Sequence, residues 1–163
     1  IQLDNELKKY SVYPDFYGDL IDYTYSNLLF KKQYDEISEI TSLADTYFSG
    51  RFFTEFLKGF VALSQKDANK ANTYFARANE IENNLENPNW IGSFILQLAQ
   101  ADPVMAFNLG EIMATYNPKS YAFQMGIANL AGKMGMKEKS SYYAQKVLEI
   151  KPDDEMALKL IGN

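Results

Sequence analysis

The stretch Gly59–Ile81, GFVALSQKDANKANTYFARANEI, carries two helical periods, with small residues at Gly59, Ala62, Ala71 and Ala78 and larger packing residues at Phe75 and Ile81. Gly or Ala at a crossing point lets two helices approach closely, whereas a bulky side chain there would force them apart. Toward the C-terminus the pattern returns in Ala128, Ala131, Ala144, Val147 and Ile150, followed by Pro152. A small or aliphatic residue opens the second helix of each pair at Ile37, Ala71, Ala106 and Ser140, spaced by 34, 35 and 34 residues, and Pro118 precedes Pro152 by 34. The spacing predicts helix pairs at 15–31 with 34–48, 51–65 with 68–84, 87–100 with 103–116, and 119–134 with 137–150, then a short helix at 153–161. Proline cannot continue a helix and an adjacent Asp or Asn can cap the next one, so Asn117-Pro118 and Pro152-Asp153-Asp154-Glu155 punctuate the units.

A period of about 34 residues with small and aromatic packing positions resembles the tetratricopeptide repeat family. The resemblance spans roughly residues 18 to 161 and implies an all-α fold, an α-solenoid of four helix-turn-helix repeats with a short C-terminal capping helix. Tyr25 and Phe94 stand where that family has Gly or Ala, and Gly110 where it has an aromatic, which predicts altered helix spacing in the first and third pairs. Residues 15–163 form the repeat domain, and residues 1–14 are either a linker or an arm docked on it. The stretch from Phe107 through Tyr116-Asn117-Pro118-Lys119-Ser120 to Leu160 is also similar to repeat tails that follow catalytic domains in some bacterial serine hydrolases, esterase-like or β-lactamase-like. That likeness implies an accessory domain of an exported protein, its catalytic domain lying upstream; a cytoplasmic location is the alternative. The chain begins at Ile1 with no basic-then-apolar leader, as a processed or truncated piece would.

Composition narrows the chemistry. Hydrophobic residues make up 47% and aromatics 15% of 163 residues, enough for a continuous core. The net charge is −5 and no run of Lys or Arg exceeds a pair, so the chain lacks the clustered positive charge that nucleic acid requires. No apolar run reaches the roughly 18–20 residues of a membrane span. Without Cys or His, the chain has neither the thiolate nucleophile nor the commonest general base and zinc ligand. Asp35-Glu36-Glu39 and Glu80-Glu82-Glu86 lack the spacing of a calcium loop and read as solvated helix faces. Gly126–Lys133, GIANLAGK, has five residues between its glycines and Met134 after the lysine, which departs from a phosphate loop on both counts. No catalytic residue, cofactor or metal is expected.

The function expected is therefore a protein-interaction scaffold. In tetratricopeptide arrays the first helices line a concave groove, and the repeat phase places Asp19, Asp22 and Ser26 there in the first pair. Phe53, Phe56 and Phe60 follow in the second, Ile91 and Ile95 in the third, and Met125 and Asn129 in the fourth. Family members that clamp acidic chaperone tails carry Lys, Arg and Asn where Asp22, Phe56 and Ile91 stand here, so an apolar occupant is expected instead. It is a peptide, an amphipathic helix, a neighbouring domain of the same polypeptide, or a second copy of the chain. A one-residue shift in phase would make these aromatics core instead. Most of the twelve Tyr, eleven Phe and six Met are expected to fill space between helices.

Overall fold

A computed structural model describes residues 14–24 and 29–162. The segment 1–13, Tyr25 and Ser26 lie outside the described residues, as does the side chain of Asp19, so the linker-or-arm question and most of the first pair's groove positions lie outside them too.

All regular structure among the described residues is helical: α1 (Pro14–Tyr23), α2 (Tyr34–Tyr47), α3 (Phe52–Ser64), α4 (Ala68–Ile81), α5 (Pro88–Ala101), α6 (Pro103–Tyr116), α7 (Tyr121–Lys133), α8 (Lys137–Ile150) and α9 (Glu155–Gly162). Three-residue and four-residue 3₁₀ turns lie at Leu29–Lys31 and Asn83–Glu86. The helices from α2 onward match the expected pairs to within a few residues. The spacing predicts a first helix running to residue 31; α1 runs to Tyr23 with Thr24 in a π turn, residues 25–28 lie outside the described residues, and Leu29–Lys31 is a 3₁₀ turn instead of α-helix.

The chain divides into two compact units, residues 1–83 and 84–163. In the first, α3 packs on α2 and on α4. Gly59 makes the second contact possible: a Cβ there would lie 2.7–2.9 Å from three ring atoms of Phe75 on α4. Because α3 is covered on both sides it is apolar around most of its circumference, and even Thr54 and Glu55 are buried. In the second unit successive helices pack from α5 to α9, and α7 also touches α5 and α9. Helices α6 and α8 meet through an edge-to-face contact of Phe107 with Tyr143, and through Lys139, whose ammonium donates to Glu111 at 2.6 Å. The second unit therefore has two layers, α5, α7 and α9 in one and α6 and α8 in the other.

The period visible in the sequence recurs in packing. Ile37, Ala71, Ala106 and Ser140 are all buried at the starts of α2, α4, α6 and α8. One helical turn on, Thr41, Phe75, Gly110 and Ala144 are buried, and after another, Ala44, Ala78, Met113 and Val147. Turns repeat as well. Asp67 N–H donates to Ala62 C=O and Met136 N–H to Ala131 C=O, both at 2.9 Å. Lys66 N–H and Gly135 N–H close the inner bonds, to Leu63 and Gly132, both at 3.0 Å. This is the bonding of a left-handed helix cap, and Lys66 (φ 64°) and Gly135 (φ 74°) hold its left-handed position. Lys32 adopts φ 59° one period before Lys66. The third pair turns differently: Asp102 both ends α5 and caps α6 through Met105 N–H, with Pro103 as the first helical residue.

The exchange of large and small residues at Phe94 and Gly110 has a packing consequence. Where Phe75 reaches back to Gly59 in the second pair, the third has a ring on the first helix and nothing on the second. Ile127 of α7 fills the space over Gly110, its Cδ1 lying where a Cβ would stand, while Phe94 is buried and stacks on Trp90. In the fourth pair both partners are small, and Ser140 Oγ donates to the carbonyl of Ala128 at 3.0 Å.

Candidate functional site

The seven groove residues expected on the second, third and fourth pairs all lie among the described residues. Phe53, Phe56, Phe60, Ile91, Ile95 and Met125 are buried, and Asn129 is exposed. The expectation of an exposed aromatic patch is thereby corrected. Phe56 lies 6.0 and 6.2 Å, centroid to centroid, from Phe52 and Phe53 and 5.5 Å from Phe75 of α4. Phe60 packs on Tyr34 of α2 at 5.8 Å. A helix sandwiched between two others uses its rings as core, whichever side the repeat phase assigns them to.

An open apolar surface lies instead in the second unit, between the first helices of its two pairs. A cleft of about 850 Å³ runs along α5 and α7. From α5 it takes Gly92, Ile95, Leu96, Ala99 and Gln100, a stripe at helical spacing. From α7 it takes Phe123, Gly126, Ile127, Leu130 and Lys133, with Asn129 at the edge. Of the seven expected residues, Ile95 and Asn129 line it. Leu96 is the most open of its large apolar side chains, 67% exposed. The two glycines make room: a Cβ at Gly126 would meet nothing within 4 Å, and one at Gly92 only the edge of Phe123 at 3.9 Å. Sequence reasoning missed Leu96 and Gly126 because it took one position per turn from the repeat phase, whereas a groove between two helices is lined by two adjacent rows on each.

A second, polar cavity of about 210 Å³ lies in the first unit, bordered by Ser38, Thr41, Ser42, Asp45, Lys58 and Gln65. Its central groups are engaged. Thr41 and Ser42 donate to the carbonyls of Ile37 and Ser38. Lys58, with a side chain only 16% exposed, donates to Asp45 at 2.9 Å and Glu55 at 2.8 Å and lies over the Tyr74 ring. Burial pulls the Lys58 ammonium down, but the hydrogen bonds to Glu55 and Asp45 outweigh it and hold the group above its ordinary value. A lysine acting as base or nucleophile needs the opposite shift. Glu55 Oε2 is buried without a hydrogen-bond partner.

A third cluster fastens α9. Asp154 accepts from Tyr121 Oη at 2.7 Å, from Lys151 Nζ at 3.0 Å, and from the backbone N–H groups of Met156 and Ala157. The Tyr121 hydroxyl, then the Ala157 N–H and the Lys151 ammonium, hold its carboxyl down at about 2. Nearby, Asn117 is buried, with Nδ2 donating to the carbonyls of Leu85 and Met113 and its own carbonyl accepting from Gln124 Nε2.

Asp35, Glu36 and Glu39 are not drawn together on α2, and no three carboxylates among the described residues converge to hold a metal. The segment Gly126–Lys133 lies wholly within α7, so its amides are committed to the helix. No helix among the described residues is long and apolar enough to cross a membrane. Comparison with protein-family models, with curated proteins and with solved structures finds no match.

Proposed function

We propose that this chain is a non-catalytic helical-repeat scaffold of the tetratricopeptide kind, which binds an apolar polypeptide segment along the first helices of its pairs. The observation that carries this is the α5–α7 cleft, an apolar trough with Leu96 open to solvent and two glycines clearing its walls. Apolar surface left exposed beside a roomy groove marks an interaction site more often than a solvated face. The recurring buried positions and the paired left-handed turns support a repeat, and the engaged state of Lys58 and its neighbours supports a binding role over a chemical one. A partner seated in the trough would gain most from covering Leu96 and the floor at Gly126.

Gly126→Leu tests this directly, because the new side chain enters open space in the cleft and leaves the helix able to form. Binding to co-purifying or cross-linked polypeptides should be lost in Gly126→Leu and reduced in Leu96→Asp, with far-UV circular dichroism unchanged. Undiminished binding by both variants would remove the cleft from the mechanism.

A further inference from the structure

We propose that the polar cavity of the first unit binds a short amino acid whose ammonium and carboxylate stand at opposite ends of its carbon chain. The site is separate from the α5–α7 cleft and does not depend on it. Its walls are two stripes at helical spacing, Ser38, Ser42 and Asp45 on α2 and Lys58, Ala62 and Gln65 on α3. A short turn joins these two packed helices, so they run in opposite directions. Asp45 meets Lys58 at 2.9 Å, and Ser38 therefore shares the other end with Gln65. Lys70, in the first turn of α4 just beyond Gln65, stands at that same end.

The two ends differ in charge. At the first, one ammonium serves two carboxylates: Lys58 donates to Asp45 Oδ1 and to Glu55 Oε1, which leaves one negative charge in excess. Asp45 Oδ2 has no partner among the described residues, and Glu55 Oε2 is buried without one. The Lys58 side chain is 16% exposed and that of Asp45 42%, so a ligand at this end meets the carboxylate first. At the second end the Lys70 ammonium, the Ser38 hydroxyl and the Gln65 side-chain amide form no hydrogen bond or ion pair among the described residues. A cation in the first turn of a helix runs against the macrodipole, and an anion beside Lys70 relieves that. The cavity thus offers an acceptor for an ammonium at one end and donors for a carboxylate at the other. Its volume of about 210 Å³ equals about seven waters at roughly 30 Å³ each, which suits a ligand of about that many non-hydrogen atoms. From Ser38 to Asp45 is about 10 Å at 1.5 Å per residue. With a hydrogen bond of about 2.9 Å at each end, roughly 4–5 Å remains between the charged atoms of the ligand, a span of about two or three carbons.

The experiment titrates the full chain, labelled with ¹⁵N, with γ-aminobutyrate, with butyrate and butylammonium, which each keep one of its charges, and with alanine, whose charges flank a single carbon. γ-Aminobutyrate should shift the Gln65 side-chain amide and the backbone amides of Ser38 and Lys70. Each one-charge analogue should bind about two- to five-fold more weakly, the range of an exposed ion pair, and alanine no better than they do. Lys70→Gln should bring γ-aminobutyrate down to the level of butylammonium and leave butylammonium binding as it was, with far-UV circular dichroism unchanged. Asp45→Asn, which keeps an oxygen for Lys58, should bring it down to the level of butyrate. Absence of shifts at Gln65 and Lys70 with γ-aminobutyrate at tens of millimolar overturns the site. Equal binding of a one-charge analogue overturns the need for both charges, equal binding of alanine overturns the end-to-end placement, and undiminished binding by Lys70→Gln overturns the carboxylate's partner. Each of these outcomes leaves the reading of the α5–α7 cleft standing.

Discussion

A methyl group added at Gly59 and one added at Gly126 are the same covalent change, and they should move stability in opposite directions. Both residues lie inside helices, where replacing Gly by Ala is worth about 0.8–1 kcal/mol. At Gly126 nothing opposes that gain, since its Cβ would have no neighbour within 4 Å. Gly126→Ala should therefore stabilise the second unit by about 1 kcal/mol. At Gly59 the new carbon would stand 2.7–2.9 Å from Cε1, Cδ1 and Cζ of Phe75, a fully buried ring that also packs on Phe56. A rigid ring so held cannot swing aside as a chain end would, and overpacking of this kind costs about 1–3 kcal/mol. Less the helix gain, Gly59→Ala should lose up to about 2 kcal/mol. Urea unfolding followed by far-UV circular dichroism reads both changes, and Trp90, the single tryptophan, reports the second unit by fluorescence. In the Gly59→Ala background, Phe75→Leu should cost less than it does in the unaltered chain, because it relieves the clash it is paired with. Were Gly59→Ala to stabilise as much as Gly126→Ala, α3 and α4 could not be as close as described, and the role given to small residues at the crossing would fail.

Phe56→Ala and Phe60→Ala should each lose about 3–5 kcal/mol as core truncations; a loss under about 0.5 kcal/mol in thermal unfolding would put both rings back on a surface. Lys66→Gly should stabilise the first unit by a few tenths to about 1 kcal/mol, since glycine takes φ 64° without a Cβ penalty, and an unchanged urea midpoint would refute the strain. Asn117→Ala strips the carbonyls of Leu85 and Met113 of a buried donor and should cost about 1–3 kcal/mol, read by the same denaturation. Acid should loosen α9. The Asp154 carboxyl is held at about 2 against an ordinary 3.8, so its contribution is complete above the unfolded value and is lost as pH falls from near 4 through 2. Asp154→Asn should flatten that part of an acid titration followed through the Tyr121 and Ala157 resonances, and an identical titration in the variant would separate Asp154 from the transition.

The fold was legible wherever the sequence left the core position a choice of one size. Ala71, Ala106 and Ser140 are small because a neighbouring helix passes over each, and their spacing alone places α4, α6 and α8. The exchange of sizes at Phe94 and Gly110 was legible too, but not how the space would be filled. That took Ile127, from a different pair, and no pattern confined to one repeat contains it. The candidate site was harder for the same reason. A groove position and a core position on α3 have the same apolar side chain and the same phase, and what separates them is whether another helix covers the face. On α3 rings close over Phe56 and Phe60 from both neighbours, so these aromatic side chains are closed to a partner. On α5 and α7 the glycines that weaken each helix also clear the cleft, which is why the place to look for binding is marked by missing side chains and not by large ones.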